Sequence, residues 1–160
     1  MLTKTKQKLK TFGVSILIAE LVGGLSALLT RTGTKMFETI PKPDITPPAI
    51  VFPIVWGVLF ALMGISAALI YMSPPSVNKN HSTIIYVCQL LVNFFWSIIF
   101  FNFQAYGFAF IWILLLLALI ILMIYKFYQV NKFAALLQIP YLIWVAFATY
   151  LTFNIWILNK

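Results

Sequence analysis

The sequence has few charged residues, and acidic residues are especially scarce. Among its 160 residues are 11 lysines and arginines but only three acidic residues, Glu20, Glu38 and Asp44. Charged side chains make up 9% of the chain, whereas a soluble domain carries about 25%. So few charges cannot cover a water-facing surface, which excludes an ordinary soluble protein.

The residue types that usually carry catalysis or bind metals are also scarce. Cys88 is the single cysteine and His81 the single histidine, so neither an intrachain disulfide nor a His/Cys metal cluster is expected. The three scattered carboxylates form no catalytic triad and no buried proton relay, and the chain has no Walker-type phosphate loop. These absences argue against a hydrolase, an ATPase or a proton-coupled pump, and they predict no required cofactor.

Long apolar runs occupy most of the chain. The runs from Ser82 to Tyr125 and from Phe133 to Asn159 contain 44 and 27 residues without a Lys, Arg, Asp or Glu, and about 20 apolar residues cross a bilayer core as a helix. Because the runs are continuous rather than alternating, helices are favoured over membrane strands. We predict an all-α integral membrane protein, in which residues 1–160 form a single domain, a bundle of five transmembrane helices. The predicted spans are residues 12–29, 48–71, 82–101, 106–127 and 133–157.

The basic residues predict the orientation of these spans. The first ten residues and the apolar run after them look like a signal peptide, but Glu20 interrupts the run and further spans follow. The basic residues on the N-terminal side are Lys4, Lys6, Lys8, Lys10, Lys79, Lys126 and Lys132, and those on the other side are Arg31, Lys35, Lys42 and Lys160. The positive-inside rule therefore predicts a cytoplasmic N-terminus and an outer C-terminus. The net charge of +8 is interpreted as topology signals and lipid contacts rather than nucleic-acid binding.

The connections between the spans differ in kind. Residues 30–46 are predicted to be the one long loop, and Pro74-Pro75 is expected to stop a helix. Residues 102–105 are predicted to be a tight polar turn between the third and fourth spans, and residues 126–132 a short basic turn.

The first span carries two features that its apolar residues do not explain. Glu20 is the only charge well inside a span, and intramembrane ionisable groups are costly and often functional. Ala19, Gly23 and Ala27 recur at four-residue spacing, which lets helices approach closely. Packing within one bundle and a contact between two copies of the chain both explain this spacing.

Spans 2, 3 and 5 carry aromatic and amide side chains on single helical faces. These sets are Phe52, Trp56 and Phe60; Gln89, Asn93, Trp96 and Phe100; and Pro140, Trp144 and Ala148. Polar side chains in lipid need partners, so the face with Gln89 and Asn93 is expected to point inward. Pro53 and Pro140 can kink their helices. These three sets of side chains fit either ordinary packing or an enclosed site for a flat apolar ligand.

The same segments carry a family likeness. They are Lys42-Pro43, Pro47-Pro48, the stretch 51–56 with Met63-Gly64, the stretch 89–93 with Trp96-Ser97 and Phe100-Phe101, the stretch 140–142 with Trp144 and Phe147-Ala148, and the stretch 154–156. In order and spacing, the chain resembles the translocator protein family, also called tryptophan-rich sensory proteins or peripheral-type benzodiazepine receptors, and in particular its bacterial members. The likeness runs from about Gly23 to the C-terminus.

The resemblance implies a homodimeric receptor or sensor in a bacterial cell membrane, with links to the stress response. Its ligands would be porphyrins such as protoporphyrin and haem, or isoquinoline-carboxamide and benzodiazepine-type drugs, bound within the bundle. The alternatives are a light-dependent porphyrin-degrading enzyme that uses Trp56 and Trp144, and a porphyrin or sterol transporter. The implied ligand-binding residues are Phe37, Pro48, Trp56, Phe60, Gln89, Asn93, Trp96, Trp144 and Ala148, with the long first loop as a cover.

The chain departs from the family pattern at two places. Met36-Phe37 stand where the family commonly has Trp-Tyr, so an aromatic ring is kept and the tryptophan is lost. The sterol motif expected near the C-terminus needs a basic residue shortly after Tyr150, and the next one is Lys160. The set Leu122, Tyr128 and Lys132 matches this pattern elsewhere in the chain, but the pattern is too loose for a match to be evidence of binding. Sterol binding therefore has little support.

Overall fold

The computed structural model of the chain describes residues 2–160, with side chains from Thr5 onward. Met1 and the side chain of Lys4, which entered the signal-peptide comparison and the charge count, lie outside the described residues. All regular elements in the described part are helical, and α4 continues directly into a π-helical turn, Ile98–Asn102. The helices are α1 (Leu2–Leu29), α2 (Arg31–Phe37), α3 (Val51–Met72), α4 (Val77–Ser97), α5 (Tyr106–Val130), α6 (Lys132–Leu136) and α7 (Ile139–Leu158).

Five stretches among the described residues are long and apolar enough to cross a bilayer. They are Thr5–Leu29, Val51–Met72, Val77–Asn102, Tyr106–Val130 and Lys132–Leu158. They agree in number and order with the spans predicted from the apolar runs. The chain is therefore an integral membrane protein built as an all-α bundle.

Several helices extend further into polar sequence than predicted. α1 begins at Leu2 instead of residue 12, since lysine and glutamine are good helix formers. α4 begins at Val77 instead of Ser82, because the Ser76 hydroxyl accepts a hydrogen bond from the Lys79 backbone N–H at 3.1 Å and caps the helix. α3 ends at Met72, just before the two prolines that were expected to stop it.

Two predicted connections contain helical residues. Seven residues of the segment 30–46 form α2. The turn predicted at 126–132 is reduced to Asn131, because α5 continues to Val130. The side chain of Asn131 then caps α6 by accepting a hydrogen bond from the Ala134 N–H at 3.1 Å.

The two prolines that were expected to kink helices both lie in first turns. Pro53 is the third residue of α3, and Pro140 is the second residue of α7. A first-turn residue has no intrahelical hydrogen bond to lose, so proline is tolerated there without a kink. The fifth span is instead interrupted at residues 137–138, between α6 and α7.

The bundle closes as a ring in the order α3, α1, α4, α5 and α6–α7. The contact between α1 and α3 is close because both helices carry small residues. A Cβ on Gly64 would overlap the backbone of Ile16, and a Cβ on Gly23 would overlap the ring of Phe60. Ala19 is fully buried, while Ala27 is exposed. The small residues Ala19 and Gly23 thus serve packing within this bundle.

The short helix α2 lies at one end of the bundle, which is called here the α2 end. At the α2 end, the Asn102 side-chain amide donates to the Leu29 carbonyl at 2.9 Å, joining the π-helical turn to the end of α1. The Asn159 amide donates to the Pro41 carbonyl at 3.0 Å, joining the end of α7 to the segment after α2. The other end, called here the opposite end, contains the connection from α3 to α4 and the junction of α5 with α6.

Candidate functional site

A cavity of about 530 Å³ lies at the α2 end, between α1, α3, α4 and α7 and beneath α2. Cavities that bind small molecules measure about 300–1,000 Å³ and are mostly apolar with a few placed polar groups. This cavity has a volume in that range, and the surface of its wall is mostly apolar, with nine aromatic side chains among its 27 lining residues.

Aromatic pairs from three helices form the wall. On α3, the rings of Trp56 and Phe60 lie 5.6 Å apart. At the end of α4, Trp96 and Phe100 stack at 5.1 Å with planes 24° apart. Phe52 of α3 meets Trp144 of α7 edge-on at 5.9 Å. The first two pairs follow from the four-residue spacing of aromatics in the sequence, whereas the third joins two helices.

α2 lies over the cavity as a cover, and its last residue, Phe37, holds it there through ring contacts. Its ring contacts Phe52 at 6.3 Å, Phe100 at 5.7 Å and Phe101 at 5.6 Å. α2 can approach the π-helical turn closely because a Cβ on Gly33 would overlap the carbonyl of Phe101. A single aromatic side chain therefore joins α2 to both α3 and the end of α4.

Lys42 holds the end of α2 in place. Its ammonium donates to the carbonyl oxygens of Phe37 and Glu38, both at 2.9 Å, and lies 4.8 Å from the centre of the Phe37 ring. Carbonyls at the end of a helix lack intrahelical donors, and a lysine near that end can satisfy them. Lys42 and Phe37 thus act together to keep α2 over the cavity.

A chain of buried hydrogen bonds lies beneath the cavity. The Asn93 amide Nδ2 donates to the Tyr141 hydroxyl at 3.1 Å, and that hydroxyl donates to Gln89 Oε1 at 2.8 Å. Gln89 and Tyr141 are fully buried, whereas Asn93 also lines the cavity. With its Nδ2 engaged, Asn93 keeps its Oδ1 as an acceptor that has no partner among the described residues.

Two indole N–H groups at the cavity also lack partners. Trp96 Nε1 and Trp144 Nε1 are buried, and neither has a hydrogen bond in the described part of the chain. A buried donor without a partner is unfavourable by about 1–3 kcal/mol.

The structure brings most of the predicted site residues together. Those that line the cavity are Phe37, Trp56, Phe60, Asn93, Trp96, Trp144 and Ala148. Pro48 borders a neighbouring pocket of about 460 Å³ beneath the segment after α2. Gln89 does not line the cavity, because its side chain lies one layer deeper on the Tyr141 hydroxyl.

The sequence reasoning missed the wall contributed by α1 and the rim contributed by α2. Val22 and Ser26 on α1 and Thr30 just after it recur at four-residue spacing and line the cavity, and Ser26 and Thr30 are buried. Small polar residues on that face were a signal for this wall, but the neighbouring glycine and alanines favoured a packing interpretation. α2 contributes Arg31 and Lys35, and its C-cap is Glu38; all three were predicted to lie in a loop.

Glu20 has no role in this site. It lies on α1, is only partly buried and is not among the residues that line the cavity. Its place in the middle of the first span has no explanation in the structure.

Comparison with known proteins agrees with this architecture. The TspO/MBR family model matches residues 15–157. The chain is 36% identical over 135 residues to the tryptophan-rich protein TspO of Chlorobaculum tepidum, covering 84% of this chain and 85% of that protein. It is 31% identical over 143 residues to the Bos taurus translocator protein, covering 88% and 85%.

A third relative carries a functional name. The chain is 29% identical over 123 residues to the tryptophan-rich sensory protein of Cereibacter sphaeroides, covering 77% of this chain and 76% of that protein. The family match covers nearly all five spans and every residue of the cavity wall. The chain therefore belongs to the TspO/MBR family.

Proposed function

We propose that this protein is a membrane receptor or sensor that binds a flat aromatic ligand, a porphyrin in particular, in the cavity at the α2 end. The observation that carries the proposal is the aromatic wall of a cavity of about 530 Å³. Drug-like isoquinoline-carboxamides and benzodiazepines share the flat apolar character and would occupy the same space. A role in sensing agrees with the name of the Cereibacter sphaeroides relative, a tryptophan-rich sensory protein.

The chemistry of the wall supports a ring-shaped ligand. Aromatic side chains favour stacked and edge-on contacts with other rings, each contributing about 0.5–1.5 kcal/mol beyond simple burial. The unpartnered Trp96 and Trp144 N–H groups can donate hydrogen bonds, and Asn93 Oδ1 can accept one. A porphyrin offers a large flat ring to these aromatic side chains, and we propose that the protein needs no further cofactor.

The proposal includes a cellular setting. Seven basic residues on the N-terminal side and four on the other side support a cytoplasmic N-terminus and an α2 end that faces outward, in a bacterial cell membrane. The cavity would then receive its ligand from the outer side. We also propose a homodimer, as the family resemblance implies.

The direct test is a porphyrin titration of the full chain in detergent. Affinity is measured from the porphyrin absorbance band, so that loss of a tryptophan does not remove the signal. Trp56→Ala and Trp144→Ala are each expected to weaken binding about tenfold, as loss of an aromatic contact of about 1.4 kcal/mol requires. Trp156→Ala is the matched control, since Trp156 is a half-buried tryptophan of α7 outside the cavity. Unchanged affinity in both cavity variants would contradict the proposed site.

A light-dependent reaction on the porphyrin is the second candidate function. It is favoured by the three tryptophans, Trp56, Trp96 and Trp144, that line the cavity and would lie beside a bound porphyrin. The complex is illuminated and the porphyrin spectrum is followed, with porphyrin in detergent alone as the reference. Bleaching no faster than the reference would exclude this activity and leave the binding proposal intact.

A further inference from the structure

The rim of the cavity is charged, unlike its interior. The charged residues among those that line it are Arg31, Lys35 and Glu38, all from α2 or its cap. Arg31, Thr34, Lys35 and Glu38 recur at intervals of three and four residues, which is one helical face. The cavity therefore combines an apolar aromatic body with a rim that carries one net positive charge.

The two basic residues of the rim differ from the other described lysines beyond the first span. Those lysines each lie over an aromatic ring: Lys42 over Phe37, Lys79 over Tyr71, Lys126 over Tyr125, Lys132 over Tyr128 and Lys160 over Trp156. Lys42 and Lys79 also donate to backbone carbonyls at 2.6–2.9 Å. The side chains of Arg31 and Lys35 have no ring contact, hydrogen bond or ion pair with any described residue.

Free cations at the mouth of an apolar cavity are suited to an anionic group on the ligand. Arginine binds a carboxylate through two parallel hydrogen bonds, and lysine contributes a point charge. Residues four apart on a helix have Cβ atoms about 5–6 Å apart. Arg31 and Lys35 can therefore reach one carboxylate together or two carboxylates on neighbouring substituents.

We propose that Arg31 and Lys35 bind carboxylate groups of the ligand, so that the site selects flat rings with acidic substituents over neutral rings of the same shape. This inference rests on the proposed function, because it assumes that the aromatic cavity holds the ring. Glu38, one turn beyond Lys35, opposes an acidic group at its own end of α2. It therefore directs the carboxylates toward Arg31 and Lys35.

The test compares protoporphyrin, a dicarboxylic acid, with its neutral dimethyl ester, which has the same ring. Both are titrated into the full chain in neutral detergent at low salt. The wild-type protein is expected to bind the acid about fivefold more tightly than the ester, as two partly exposed ion pairs of this kind supply. The preference is expected to decline as salt is added, since exposed charges are screened.

Substitutions identify the residues responsible. The double variant Arg31→Gln with Lys35→Gln should bind the ester as the wild type does and lose the preference for the acid. The charge-preserving Arg31→Lys should keep most of it, and Glu38→Gln should increase it about twofold to threefold by removing repulsion. Lys160→Gln is the matched control, because it removes one positive charge at the same end outside the cavity.

The outcomes separate this inference from the proposed function. Equal affinity of the wild type for acid and ester, or an unchanged preference in the double variant, would overturn the inference while the cavity remained a porphyrin site. Equal losses for acid and ester in the double variant would also overturn it, since they would indicate a structural role for α2. Failure of the wild type to bind either compound would remove the proposed function and this inference with it.

Discussion

The two ends of the bundle use similar side chains in different ways. At the opposite end, Gln138 Nε2 donates to Ser66 Oγ at 2.7 Å and to the Leu62 carbonyl at 3.3 Å, and Ser66 Oγ donates to the Ala134 carbonyl at 3.1 Å. Gln138 and Ser66 are fully buried. These bonds join α3 to the junction of α6 and α7, where the helix is interrupted.

At the α2 end, the corresponding helices are separated by the cavity. α3 and α7 meet there through the ring contact of Phe52 with Trp144, and the amide of Asn93 and the N–H groups of Trp96 and Trp144 keep unused bonding capacity. Buried polar atoms without a partner also occur at the opposite end, at Gln138 Oε1 and Ser82 Oγ, so the cavity is what distinguishes the two ends and indicates a division of roles. The opposite end contributes to the stability of the bundle, and the α2 end contains the cavity in which we propose that the ligand binds.

The largest expected effect tests the opposite end. Gln138→Ala should lower the free energy of unfolding by about 2 kcal/mol, because two buried hydrogen bonds are lost and a void is left. Thermal unfolding in detergent measures this change, and the porphyrin affinity of the folded protein should stay the same. Gln129→Ala, an exposed glutamine of α5, should change neither quantity. A loss of affinity without a loss of stability in Gln138→Ala would contradict the division of roles.

The next effect tests the α2 end. Phe37→Ala removes three ring contacts of the cover and should weaken porphyrin binding about tenfold, mainly through faster release. Stopped-flow displacement measures the release rate. Phe103→Ala provides the control, as Phe103 lies at the same end but is 72% exposed. Slower association with unchanged release would show that Phe37 does not act as part of a cover.

The third effect compares a tryptophan whose indole N–H is hydrogen-bonded with one whose indole N–H has no partner. Trp112 Nε1 donates to the Val92 carbonyl at 2.8 Å, whereas Trp96 Nε1 has no partner. Trp112→Phe should therefore lower stability by about 1 kcal/mol more than Trp96→Phe does. Only Trp96→Phe should reduce porphyrin affinity. Equal stability losses, measured by thermal unfolding, would mean that the Trp96 N–H is satisfied in solution.

The smallest effect concerns the lysine that caps α2. Lys42→Met keeps an unbranched side chain but loses the bonds to the Phe37 and Glu38 carbonyls, and it should speed porphyrin release about threefold, since the contact is partly exposed to water. Lys160→Met serves as the control, because its ammonium also lies over a ring at this end. If both variants release porphyrin at the same rate, Lys42 does not hold the cover.

The spans could be predicted from the sequence because each is a continuous apolar run. The inward face of α4 could be predicted as well, since amides at four-residue spacing have few alternatives in lipid. α2 could not be predicted, because residues 31–37 are mostly polar and contain Gly33. That short helix depends on contacts with the π-helical turn, which is distant in sequence.

The aromatic residues of the site could be predicted from the sequence, but which neighbouring polar residues line the cavity could not. Gln89 and Asn93 have the same spacing signal, but only Asn93 lines the cavity, because the Tyr141 hydroxyl from another helix engages Gln89. The free cations of the rim were also hidden. Sequence alone does not separate Arg31 and Lys35 from Lys42, whose ammonium is already bound to carbonyls.

The π-helical turn imposes a constraint on chain length. It holds an extra residue compared with an α-helical turn, and one residue corresponds to a rotation of about 100°. Deleting a single residue from Ile98–Asn102 would restore a regular helix and turn the Asn102 amide away from the Leu29 carbonyl. The Phe101 carbonyl would also move away from Gly33. Homologues that keep this cover are therefore expected to vary the composition of this segment while conserving its number of residues.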